Sequence, residues 1–163
     1  MNSIKAVIFD WGRTLYDSDA KTEYPESGLV LEQLKARGYR LALVSLVSPL
    51  ANATLEERER QIEKSPLRKY FEIARVTDED KDQLFDEVVE KLNFPRSEIL
   101  IVDDRVVRGI RYGNKNGHPT IWVQKGKFAN ELPNADTGKP THVVNSLREI
   151  PLLISASEAK RER

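Results

Sequence analysis

The sequence predicts an α/β fold: a three-layer, doubly wound parallel sheet. Three observations predict it. Short apolar runs rich in branched residues recur along the chain, as in residues 4–9 (IKAVIF), 40–45 (RLALVS), 98–103 (EILIVD) and 119–123 (PTIWV). Each is short enough to be a buried strand rather than a helix. Between them lie segments with helical spacing of apolar residues, and strands alternating with helices are the pattern of a parallel sheet covered on both faces.

The elements follow in order. Residues 4–9 form the first strand, and residues 11–24 are polar and irregular. Residues 26–37 place Leu29, Val30, Leu31 and Leu34 on a helical face, and Gly38 stops that helix. Residues 40–45 form the second strand. Residues 52–64 open on Asn-Ala-Thr and carry many Glu, Arg and Gln, which predicts an exposed, capped helix. Residues 71–76 make a weaker third strand. Residues 78–92 give the clearest helix, with Leu84, Phe85, Val88, Val89 and Leu92 in register. The fourth strand runs over residues 98–103. A helix follows through Val106, Val107 and Ile110 and ends near Gly113 or Gly117. Residues 119–123 form a fifth strand and 141–144 a sixth, then a short helix spans 146–150. Residues 126–140 form a long Gly/Pro/Asn-rich loop. A single domain over residues 1–154 is expected, with 155–163 as a charged, frayed tail.

Composition excludes several functions. Lys plus Arg and Asp plus Glu are each 26, so the formal net charge is zero. That gives no long-range field for general nucleic-acid binding. There are no cysteines, so disulfides, thiolate catalysis and thiolate metal sites are absent. The two histidines, His118 and His142, sit in no zinc or triad motif. No stretch approaches the ~20 apolar residues of a membrane helix. No signal peptide precedes the first strand, and a cytoplasmic protein is expected. What remains abundant is carboxylate, hydroxyl and lysine, the ligands of hard cations and phosphate.

Those groups stand at strand ends, where parallel sheets bind ligands. The first strand ends at Asp10, the second at Ser45 and the fourth at Asp103 and Asp104. Lys81 opens the helix before the fourth strand. This order resembles the four motifs of the haloacid-dehalogenase-like (HAD) superfamily, here in a cap-less, phosphatase-like form with a variant first motif. The motifs are Phe9-Asp10-Trp11-Gly12-Arg13-Thr14-Leu15, Leu43-Val44-Ser45, Lys81, and Ile101-Val102-Asp103-Asp104. They cover residues 4–150. The resemblance implies a Rossmann-like fold and an Mg²⁺ ion held by Asp10, the Gly12 carbonyl, Asp103 and Asp104. It also implies a nucleophilic Asp10 that forms an aspartyl-phosphate. Ser45 would bind the phosphoryl group, and Lys81 would bind it and balance the crowded negative charge. The implied partner is a phosphorylated small molecule or macromolecule; the oligomeric state is left open. The bland alternatives are turn and helix-cap roles for the aspartates and Ser45, and a solvated ion pair for Lys81.

The first motif departs from the family at Gly12, where the phosphatases carry an acid/base aspartate. Such a group typically contributes about 10²–10⁴-fold. Glycine retains a carbonyl for a metal but cannot move a proton. Phosphonatases also lack this aspartate, with a first motif resembling Asp-Trp-Ala-Gly-Thr, but they use a lysine from a cap. Only about 35 residues separate Asp10 from Ser45, too few for a helical cap beside a helix and a strand. Arg13 is either a cation at the substrate site or a surface side chain. Gly109 stands where many relatives have a further aspartate.

Two functions therefore compete. One is an Mg²⁺-dependent phosphohydrolase, slow or restricted to good leaving groups. The other is a weakly active or inactive module that binds phosphate or a phosphoprotein. A receiver domain uses similar groups, but its acidic pair follows the first strand and its acceptor Asp comes later; the order here is reversed.

Overall fold

The computed structural model describes residue 1 and residues 3–162. Six parallel strands form one sheet in the order β5-β4-β1-β6-β7-β8. They are β1 (Ala6–Phe9), β4 (Arg40–Leu46), β5 (Ile73–Thr77), β6 (Ile99–Asp103), β7 (Thr120–Val123) and β8 (His142–Val144). A small antiparallel hairpin, β2 (Tyr16–Asp17) with β3 (Thr22–Glu23), stands apart. The helices are α1 (Ser27–Ala36), α2 (Leu55–Lys64), α3 (Lys81–Leu92), α4 (Arg111–Asn116) and α5 (Glu149–Glu162).

The two-residue period of the strands builds the layers. Val7 and Phe9 of β1 pack with Leu41, Leu43, Leu100 and Val102 on one face, under Val30, Leu31 and Leu34 of α1 and Ile150 and Ile154 of α5. Ala6 and Ile8 pack with Ala42, Val44, Ile99 and Ile101 on the other, under Leu84, Phe85, Val88 and Leu92 of α3. Both faces of β1 are thus covered, which explains its uninterrupted apolar run.

The strand order reverses at β1. The chain passes from β1 outward to β4 and β5, then crosses back to β6 on the opposite side. This is the switch point at which such sheets open a crevice beyond the strand ends. Register sets what meets there. Phe9 pairs with Val102 of β6, and the Asp10 amide donates to the Val102 carbonyl at 3.0 Å. The next residue on each strand, Asp10 and Asp103, therefore emerges side by side.

Two sequence expectations change. Residues 11–24 are not irregular. Trp11 and Leu15 are fully buried, and the Trp11 carbonyl accepts the amides of Thr14, Leu15 and Tyr16. This tight turn launches the β2–β3 hairpin, and its two-residue strands are too short to leave a pattern. The hairpin fills the segment between β1 and α1, the position at issue for a cap. The expected short helix at 146–150 begins at Glu149 and runs on through the expected frayed tail to Glu162. Ile154 is buried, and Tyr39 donates to the Glu158 carboxylate at 2.6 Å. These contacts tie the first turns of the expected tail to the body of the fold; residue 163 of that tail lies outside the described residues.

Residues 126–140 also lie against the body. Glu131 accepts from the Arg105 guanidinium and from the Val106 amide at 3.0 Å, and Asn114 donates to the carbonyls of Thr137 and Lys139. Among the described residues, no helix is long and apolar enough to cross a membrane.

Candidate active site

The ends of β1 and β6 place Asp10, Asp103 and Asp104 together. One carboxylate oxygen from each lies within 4.8 Å of the others. All three side chains are buried, Asp103 completely. Three buried carboxylates cannot coexist uncompensated. The compensation present is Lys81, whose Nζ donates to Asp10 Oδ1 and to Asp103 Oδ2, each at 2.9 Å. Lys81 is the first residue of α3, where a cation opposes the helix dipole. Asp80 caps that helix by accepting the amides of Asp82 and Gln83, and the two aspartates hold the lysine inward.

The three carboxylates are not equivalent. Burial would raise the pKa of Asp10, but the charge and hydrogen bond of Lys81, with help from Asp104 and Thr14, bring it below the usual carboxylate range. Thr14 donates to Asp10 Oδ2 at 3.1 Å. Asp103 is pushed up, first by burial and then by Asp10. Its two oxygens accept the amides of Arg105 and Gly109, each at 3.0 Å, besides Lys81. Asp104 is pushed up to about 10 by burial and by its two acidic neighbours. Of the three, Asp104 has the environment that most favours the protonated form. Asp104 Oδ2 is buried without a hydrogen-bond partner among the described residues. An orphaned buried oxygen is costly and calls for a ligand. Hard oxygen donors at this spacing suit a small divalent cation such as Mg²⁺.

Ser45 ends the inner part of β4 and is fully buried. Its Oγ accepts from Arg58 at 2.9 Å, so its hydroxyl proton is left to donate elsewhere. Gly12 lines, with Asp10, Arg58, Lys81 and Asp104, an open cavity of about 790 Å³. Arg13 also lines it, but with φ +63° and an ion pair to Asp19 at 3.0 Å. Its guanidinium thus braces the first-motif loop. The helical stretch after β6 begins with a π-type turn, Val106–Ile110. Gly109 sits in that turn against Asp103. A Cβ there would come within 2.7 Å of the Asp103 Cβ, so the backbone leaves no room for a further aspartate. His118 is a buried core residue whose Nδ1–H donates to the Ile99 carbonyl, and His142 lies on edge strand β8; neither joins the cluster.

Sequence reasoning missed Arg58 and Gln61. Both lie on α2, started by a capping box in which Thr54 and Glu57 satisfy each other's backbone amides. Arg58 is half-buried beside Ser45, and Gln61 accepts from the Trp11 indole at 2.8 Å. The available signal was spacing: Arg58 is one turn before Ile62, the buried residue of that helix.

Residues 81–150 match the HAD-hydrolase-like family model. Glyceraldehyde 3-phosphate phosphatase of Methanopyrus kandleri is 24% identical over 132 residues, covering 78% of this chain and 54% of that protein. The chain thus spans about half the length of this curated relative. Among solved structures, the HAD-hydrolase-type protein YfnB of Bacillus subtilis, in a magnesium-bound form, superposes with a TM-score of 0.77 at 13% identity, over 94% of this chain and 99% of that one. A predicted phosphoglycolate phosphatase of Haemophilus somnus gives 0.74 at 16%, over 94% and 99%. At these identities the superpositions show the fold. The matched segment carries Lys81, Asp103 and Asp104, so this part of the chain is similar to HAD-type hydrolases in sequence, and the chain shares their fold.

Proposed function

We propose that this protein is an Mg²⁺-dependent phosphohydrolase that passes a phosphoryl group through Asp10. The observation that carries the proposal is the buried Asp10, Asp103, Asp104 and Lys81 cluster with an unpartnered Asp104 oxygen. A bound divalent cation supplies the charge neutralisation that lets a carboxylate approach a phosphoryl group. Asp10, Asp104 and the Gly12 carbonyl would hold it. Asp103, whose oxygens already serve Lys81 and two amides, fixes the loop around it.

The remaining work falls to the chain's own groups. Asp10, kept ionised by Lys81, is the nucleophile, and Thr14 orients its second oxygen. Lys81 offers a charge to the phosphoryl oxygens, and Ser45 a hydroxyl. Water then releases the phosphoryl group from the aspartyl-phosphate. Gly12 supplies no proton, so this step and the departure of the first product run without the usual acid/base carboxylate. The substrate class is a phosphorylated molecule. The phosphatase named among the relatives and the magnesium-bound neighbour support this reading. The absence of cysteine supports a cytoplasmic setting.

The test is acid quench of a reaction with p-nitrophenyl phosphate and Mg²⁺, followed by peptide mass spectrometry. A phosphoryl adduct on the peptide containing Asp10 is expected. No adduct, with Mg²⁺ still bound, would favour a second reading that rests on Gly12: a phosphate-binding module without turnover. Under that reading Gly12→Asp creates activity in a silent parent.

A further inference from the structure

The neighbourhood of Gly12 holds a cation where a proton donor is missing. The family resemblance puts the acid/base carboxylate at position 12. A Cβ built on Gly12 meets Ser18 Oγ at 3.4 Å and Arg58 NH1 at 4.0 Å. The same guanidinium nitrogen donates to Ser45 Oγ at 2.9 Å. Arg58 thus reaches from the phosphoryl-binding hydroxyl to the space a side chain at position 12 would occupy. Among the described residues its guanidinium has no carboxylate within ion-pair distance, unlike Arg13, which Asp19 holds. Burial lowers its pKa and Asp10 opposes that shift, yet a guanidinium stays charged in proteins.

We infer that Arg58 contacts the departing oxygen and that the substrate is a phosphoryl anhydride, either an acyl phosphate or a phosphoanhydride. This rests on the phosphohydrolase reading above. A fixed cation cannot protonate a leaving group, but it stabilises one that departs as an anion. An alkoxide needs a proton, because the parent alcohol has a pKa comparable to the ~15.7 of water. A carboxylate, with a pKa near ~4, or a phosphate, with a second pKa near ~6, departs without one. In the first step an Asp10 oxygen bonds to phosphorus as the bond from phosphorus to the bridging oxygen breaks. That oxygen leaves with the electron pair as a carboxylate or phosphate anion beside Arg58. In the second step water bonds to phosphorus and Asp10 recovers its carboxylate. One water proton stays on inorganic phosphate and the other goes to solvent. Lys21, Arg108 and Lys127 line the same cavity and favour an anionic product over a neutral alcohol.

The experiment measures Mg²⁺-dependent phosphate release from acetyl phosphate, pyrophosphate and glycerol phosphate, using wild type, Asp10→Asn, Arg58→Gln and Arg58→Lys. Asp10-dependent turnover of acetyl phosphate or pyrophosphate, at least about 100-fold above glycerol phosphate, is expected. Whichever of the two is faster identifies the anhydride. Arg58→Gln should lower kcat on it by about 100-fold, with less change in KM. Arg58→Lys should recover most of that loss, and melting temperatures should stay level. Asp10-dependent turnover of glycerol phosphate as fast as that of the anhydrides overturns this inference and leaves the phosphohydrolase reading standing. So does an unchanged kcat in Arg58→Gln, or a loss that lysine does not recover and that tracks a lower melting temperature. No Asp10-dependent turnover of any of the three, with no adduct on Asp10, overturns both.

Discussion

The backbone amide of Gly109 donates to Asp103 Oδ2 at 3.0 Å, and a Cβ at position 109 would lie 2.7 Å from the Asp103 Cβ. Glycine is required here for close approach of the backbone, not for a positive φ. Asp103 in turn positions Lys81, so a residue that looks like a lost ligand in sequence instead shapes the carboxylate cluster. Gly109→Ala is expected to destabilise the protein by about 1–3 kcal/mol through overpacking and to weaken Mg²⁺ binding. Urea unfolding with and without Mg²⁺ checks both.

Lys81 is the counter-charge for the cluster. Lys81→Met should cost about 3–5 kcal/mol, the usual penalty for removing one partner of a buried pair. Added Mg²⁺ should restore part of that stability, because it supplies positive charge at the same carboxylates. A loss below about 1 kcal/mol, the range of exposed pairs, would show that the ion pairs are not buried in solution.

Asp104 links metal binding to pH. Burial, then Asp10 and Asp103, hold its folded pKa at about 10 against an ordinary 3.8. The folded metal-free protein therefore holds a proton that the unfolded chain releases. The associated stability is full below about pH 3.8 and is lost as pH rises toward about 10. A divalent cation displaces that proton. Titration calorimetry near neutral pH in buffers of different ionisation enthalpy should show proton release on Mg²⁺ binding, with affinity rising as pH rises. Binding without proton release would contradict the assignment.

His118 acts in the opposite direction on pH. Its pKa is lowered from 6.5, chiefly by burial, and its Nδ1–H donates to the Ile99 carbonyl. The unfolded chain takes up a proton more readily, so stability is intact above about pH 6.5 and falls as pH drops below it. His118→Phe keeps a ring against Tyr112, whose centroid is 5.7 Å away. It should cost about 1 kcal/mol at pH 8 through the lost hydrogen bond. It should also flatten the loss of stability between pH 6.5 and 5. Denaturant midpoints across that range provide the check.

Much of this site could be read in the chain because its parts have local signatures. Asp10, Ser45, Asp103 and Asp104 each follow an apolar strand, and Lys81 follows a capping aspartate at the head of a strongly periodic helix. Parallel register then brings them together without any long-range code. The parts that were missed depend on tertiary contact. Arg58 lies in a helix crowded with charge (LEERERQIEK), where only packing against Ser45 separates it from Arg60. The β2–β3 hairpin has strands of two residues, below the length at which alternation shows. The middle of α5 is held by Tyr39, which donates to Glu158, and by Arg37, which donates to Ser155; both residues lie more than 100 positions away in sequence.

The most direct test of the central claim is release of p-nitrophenol from p-nitrophenyl phosphate by wild type and Asp10→Asn, each with and without Mg²⁺. Turnover that requires both Mg²⁺ and Asp10 is the predicted result. Turnover that persists in Asp10→Asn, or that is independent of Mg²⁺, would contradict the account.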